Sequence, residues 1–211
     1  MKNILKFSFV LIAILAASSY SQDSMKSTKM SGVSMTPSYP RDSSVSLTIP
    51  MNGVSAENYC KGCIVAYHKI GDDKKIAIYT HRVLAHENDI FKYKYSDDSI
   101  SINGNKIAKR KIGYYDFKSG ESVKKIARYE EVIGKLKYNI IIDADLSLAD
   151  LDMTDSKNSE NYPYLTKEDC KFTASEFVCT IPKGYVFVMG DNRKETLFGF
   201  IPIKNIVAFV Q

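Results

Sequence analysis

Tryptophan is absent from the 211-residue chain, and glycine and proline are scarce, at 11 and 6 residues. So few backbone breakers exclude a collagen-like or low-complexity chain. Charge of either sign is nearly balanced, leaving a formal net charge of only +5. Lysine and arginine are spread along the chain rather than clustered, which argues against nucleic acid as a partner. No unbroken apolar run reaches the roughly 20 residues of a membrane-spanning helix. No internal repeat is present. What remains is an ordinary globular mixture, 45% hydrophobic and 25% charged, which excludes disorder as a description of the whole chain. Its 14 tyrosines and 10 phenylalanines lean towards strands. The length suits one domain, or one domain with an elaboration.

The chain opens MKNILKFSFVLIAILAASSYS. Lys2 and Lys6 give a positive start, Phe7–Ala17 is apolar apart from Ser8, and small residues follow. This is the layout of a secretory signal. Ser18–Ser21 are only weakly polar, so residues 1–21 read as a signal sequence or an uncleaved membrane anchor; a buried N-terminal strand is the alternative. In the first two cases the positive end stays inside and the remainder is exported. Gln22–Lys29 is polar and rich in serine and lysine, and reads as a linker ahead of a domain at 30–211.

An exported chain meets an oxidising compartment, where cysteines pair. The four cysteines fall into two local pairs, Cys60-Lys-Gly-Cys63 and Cys170–Cys179. The stretch CKFTASEFVC has the form of a hairpin that would bring Cys170 and Cys179 to disulfide distance. The C-x-x-C reads as a second structural disulfide, with two alternatives. A redox site would want a helix after the motif, whereas the strand-like Ile64-Val65-Ala66-Tyr67 follows. Zinc would want a second ligand pair, and His68 stands alone.

Short β-rich runs separated by turn residues fill the rest. Ser44–Ile49, Ile64–Tyr67, Ile76–Tyr79, Ile90–Tyr95, Ser99–Ile102, Tyr138–Ile142 and Tyr185–Met189 read as strands. Asn103-Gly104-Asn105 is a hairpin turn. Ser122–Leu136 carries a thin apolar stripe, Ile126, Tyr129 and Val132, and reads as an amphipathic helix. Asp143–Asn161 is acidic and polar, a surface excursion. The fold class expected is mostly β.

Three stretches carry chemistry. In Ser31-Gly32-Val33-Ser34-Met35-Thr36-Pro37, Gly32 allows close backbone approach. Pro37 stiffens the loop, so that Ser34 can be held rigidly with its own N–H aimed at a substrate carbonyl. In Ile78-Tyr79-Thr80-His81-Arg82-Val83, a strand carries His81 beside Arg82. In Ile181-Pro182-Lys183-Gly184-Tyr185-Val186-Phe187-Val188-Met189-Gly190-Asp191-Asn192-Arg193, a strand delivers Asp191 and Arg193 at its end, and Phe198-Gly199-Phe200-Ile201-Pro202 follows.

In this order the three stretches resemble the boxes of the type I signal peptidases, over roughly Val33 to Ala208. The resemblance implies a signal-peptidase-like β-fold, with a core at about 30–105 and 178–211 and a β-rich insert at about 106–177. It implies a serine endopeptidase that removes signal peptides from exported precursors by cutting after small-x-small residues. Its partners would be an extended peptide segment of the precursor and the membrane lipid surface. The domain would sit on the outer, periplasmic face of the inner membrane, anchored or exported. Ser34 carries over as nucleophile and His81 as general base. Asp191, Arg82 and Arg193 carry over as supporting residues, and Gly32, Met35 and Pro37 as oxyanion and substrate-binding positions. No metal or cofactor is implied.

The chain departs from the bacterial pattern in four places. His81 stands where most bacterial members have lysine, as in the endoplasmic-reticulum and archaeal branch. An imidazole is largely neutral near pH 7 without help, and gains from a carboxylate that fixes its tautomer. Asp191 is one such group; if Arg82 takes Asp191, Glu195 or another acid is left for His81. Only Lys194-Glu195-Thr196-Leu197 separates Arg193 from Phe198, about four residues fewer than usual. The Pro-Gly-Asp after the base box is reduced to His86-Glu87-Asn88-Asp89. Gly32 replaces a hydroxyl that some members place there, leaving the Ser34 N–H as the main oxyanion donor. Two further readings fit these departures: a dedicated processing peptidase of the conjugative-pilin type, and a non-catalytic peptide-binding relative.

Overall fold

The computed structural model describes residues 24–30, 32–50, 60–70, 76–119, 121–145, 169–193 and 198–211. Strands dominate, as the tyrosine- and phenylalanine-rich composition predicts, and the described residues contain no α-helix. The strands are β1 (Ser24–Lys29), β2 (Ser44–Ile49), β3 (Ile64–Ile70), β4 (Ile76–Ala85), β5 (Ile90–Lys94), β6 (Ser99–Ile102), β7 (Asn105–Lys106) and β8 (Ala108–Ser119). There follow β9 (Ser122–Ile133), β10 (Leu136–Ile142), β11 (Cys170–Phe172), β12 (Glu176–Thr180), β13 (Tyr185–Met189), β14 (Phe198–Pro202) and β15 (Ile206–Val210).

They form three sheets. Seven strands run in the order β1-β2-β15-β3-β4-β13-β14, five in the order β11-β12-β5-β6-β7, and three in the order β10-β9-β8. An aromatic cluster joins the first two sheets. Phe91 of β5 stacks on Phe187 of β13 at 4.0 Å between centroids, and Phe177 of β12 stacks on Phe198 of β14 at 5.6 Å. Phe91, Phe177 and Phe187 are fully buried, and each such ring stabilises the fold by about 1.5–3 kcal/mol relative to exposure.

Both cysteine pairs are disulfides, Cys60–Cys63 and Cys170–Cys179. Cys170 lies directly opposite Cys179 in the β11–β12 hairpin, with Cα atoms 4.1 Å apart. Two expectations are corrected. Ser122–Leu136 is not a helix: β9 pairs with β8 from Ser122 to Val132 and with β10 from Ala127 to Ile133. Cross-strand partners on both sides outweigh a thin three-residue stripe. Within the expected linker, Ser24–Lys29 is a strand, paired residue for residue with β2. Main-chain hydrogen bonding needs no apolar side chains, and lysines suit an exposed sheet edge. The signal or anchor segment, and residues 146–161 of the acidic excursion, lie outside the described residues.

Candidate active site

The loop between β1 and β2 carries Ser34. Met35 is fully buried and anchors the loop in a cluster with Met30, Val45 and Ile64. Thr36 N–H donates to Val33 O at 3.1 Å and Tyr39 N–H to Met35 O at 2.8 Å, closing successive turns around the serine. From the far side, Asn192 N–H donates to Ser34 O at 3.0 Å. The serine backbone is thus held by its own loop and by the turn after β13. Its hydroxyl donates to Thr80 O at 3.5 Å, the carbonyl just before His81.

Ser34 and His81 line one cavity of about 600 Å³, with Gly32, Ala77, Tyr79 and Thr80 among its other walls. His81 is 1% exposed. Its Nδ1 lies 2.7 Å from the Tyr67 hydroxyl, and the two rings sit at a tilt, 5.8 Å between centroids. Burial, with a smaller contribution from Tyr79, pushes the Tyr67 phenol well above its ordinary pKa, so it stays protonated at any physiological pH. Tyr67 and His81 meet through register: Tyr67 of β3 faces Tyr79 of β4, and His81 lies two residues on along the same face.

The Gly190–Arg193 turn bolts three regions together. Arg82 grips Asp191 with two nitrogens, Nε to Oδ1 at 2.8 Å and Nη2 to Oδ2 at 2.6 Å. Ser38 Oγ donates to the same Oδ2 at 2.5 Å. Arg82 Nη1 also donates to Gly62 O at 2.5 Å, and the guanidinium lies over the Tyr138 ring at 3.9 Å. Asp191 and Arg82 are both almost wholly buried. A bidentate, charge-assisted pair of this kind is among the stronger polar contacts available to a protein. Arg193 is equally buried and pairs with Glu131 of β9. Burial opposes its charge, but Glu131, Tyr138 and Asp191 outweigh that and raise the guanidinium pKa. Main-chain bonds complete the bolt: Ile141 N–H donates to Asp191 O, and Arg193 N–H to Ile141 O, each at 3.0 Å.

Of the residues singled out in the sequence, Ser34, His81 and Gly32 share the cavity wall. Arg82, Asp191 and Arg193 sit behind that wall as a buried scaffold. Met35 is a core anchor, and neither it nor Pro37 is among the cavity's lining residues. Of the two partners the sequence left open for Asp191, the structure has Arg82; Glu195 lies outside the described residues. The sequence reading missed Ser38, Tyr67 and Glu131. Tyr67 was recoverable from the β3–β4 register alone. Glu131 was hidden by the helical reading of its segment.

No curated protein matches the chain. The model of the family described as signal peptidase, peptidase S26, matches residues 1–211. That match covers the whole chain, boxes and intervening strands alike, and the protein belongs to the signal peptidase family, peptidase S26.

Proposed function

We propose that the protein is a serine endopeptidase of the signal peptidase I type, working through Ser34 and His81 on exported precursor proteins. The observation that carries this reading is the shared cavity: nucleophile and base candidates line one recess beside a strand edge. β13 pairs with β4 only at Arg82, Val83 and Ala85. The stretch Ile76–Thr80 keeps β3 on one side and has no strand on the other among the described residues. A substrate in extended form can add there as a further strand, its main chain bonding to β4 and its side chains entering the cavity.

The chemistry follows from the residue types. Ser34 Oγ attacks the scissile carbonyl carbon while its proton passes to His81 Nε2. The Ser34 N–H faces the oxyanion that forms. The imidazolium then returns the proton to the leaving amine, and water repeats the sequence to release the acyl group. Residues 1–21 would hold the domain at the outer face of the membrane, where precursors emerge.

The test is cleavage of a panel of precursor peptides, with small residues at both small-x-small positions, by the full chain and by Ser34→Ala. The reading expects loss of at least about a thousandfold in kcat with an unchanged melting temperature. Equal cleavage by both forms overturns the assignment of Ser34. Binding without cleavage by the wild type would make the protein a peptide-binding relative.

A further inference from the structure

For Nε2 of His81 to accept a proton from Ser34, the resting imidazole must carry its proton on Nδ1. That tautomer needs an acceptor at Nδ1; without one, both tautomers are populated and one of them is no base. In Ser-His-Asp sites a carboxylate is the acceptor. Here Asp191 is already committed, with Arg82 covering both of its oxygens and Ser38 adding to Oδ2. The group at Nδ1 is instead the Tyr67 hydroxyl, 2.7 Å away.

We propose that Tyr67 is the positioning residue that fixes the Nδ1–H tautomer of His81, in the place a carboxylate takes elsewhere. This rests on the Ser/His reading given above. The tyrosine is suited to hold a ring still. It is fully buried, in a cluster with Val65, Val83 and Val188, and it stacks on Tyr79 at 6.2 Å. Nδ1–H donates to the Tyr67 oxygen throughout; the proton gained from Ser34 Oγ stays on Nε2 until the leaving amine takes it. The phenol remains neutral, held so by burial. A neutral acceptor orients the imidazole but places no negative charge beside the imidazolium, so its share of catalysis is smaller than that of a buried carboxylate.

The experiment has two readouts. The first is the tautomer of His81 in the resting wild-type protein, from nitrogen-15 histidine spectra assigned with His81→Gln. Nδ1–H is expected. Nε2–H as the resting form would mean that Tyr67 donates instead, and would overturn the proposal whether or not the protein cleaves anything. The second is Tyr67→Phe, which keeps the ring and its packing. It is expected to lower kcat about ten- to a hundredfold, with KM within about twofold and both tautomers now present. Wild-type kcat in Tyr67→Phe overturns the proposal. Failure of the peptidase reading itself is seen separately, as full cleavage by Ser34→Ala or His81→Ala.

Discussion

The two halves of β4 lie end to end in one strand and behave differently. In Ile76–Thr80, Ile78 is 60% exposed and β3 is the only strand partner among the described residues. In His81–Ala85, every residue is buried, and β13 pairs on the side that the first half leaves open. On the proposed reading, the first half receives the substrate strand and the second holds the base in position. His81 stands at the junction, the first buried residue after the open edge. A general base needs both conditions at once: contact with substrate on one side and a fixed ring on the other.

The largest effect should come from breaking the closed half. Asp191→Ala leaves Arg82 buried without its carboxylate, a change that costs about 3–5 kcal/mol. The melting temperature is expected to fall by roughly 10 °C, with cleavage lost. A fall of a degree or two would show that Arg82 is held well enough by Gly62, Ser38 and Tyr138 without it.

A smaller effect is expected just past the end of that half, where the chain turns at His86–Asp89. Asp89 accepts from Lys61 at 2.7 Å, from His86 N–H at 2.7 Å and from Asn103 Nδ2 at 2.7 Å. Burial opposes its charge, but these donors outweigh burial and hold the carboxyl below its ordinary value. A depressed carboxyl stabilises the fold fully above the unfolded value of about 3.9, and that contribution fades as pH falls through the folded one. Asp89→Asn should therefore lower stability by about 1–2 kcal/mol near neutral pH. The gap to wild type should narrow in acid, closing once pH has fallen through the folded value. A gap that persists unchanged in acid would assign the effect to packing rather than charge.

Much of this contrast is legible in the sequence. The run Ile78–Val83, the Gly190–Arg193 exit and the two cysteine pairs each announce their role through local chemistry: a β-branched run, a glycine at a strand end, two cysteines close together in the chain. What escapes is set by pairing between distant segments. Ser24–Lys29 is polar and Ser122–Ile133 has an ambiguous period, and only their partners make them strands. The contact of Tyr67 with His81 depends on Ile70 facing Ile76; a slip of one residue would send the two side chains to opposite faces. Arg193 is visible as a motif residue, but its partner Glu131 lies 62 positions away, in the segment whose period misleads.

The smallest effect on stability, and a clear one on substrate, is expected in the open half. Ile78→Lys changes an exposed side chain and should alter stability by less than about 0.5 kcal/mol. Ile78 also lines the cavity, so a charge there should raise KM several-fold for an apolar precursor segment while kcat holds. Unchanged KM would move the substrate away from this edge.

The central claim is that Ser34 and His81 act as one unit, and the double-mutant cycle on cleavage tests it most directly. Groups that share one proton transfer are strongly non-additive. Ser34→Ala and His81→Ala should each reduce kcat by about a thousandfold or more, and the double variant should be no slower than Ser34→Ala alone. Losses that multiply, or a His81→Ala protein that cleaves at the wild-type rate, would contradict the account.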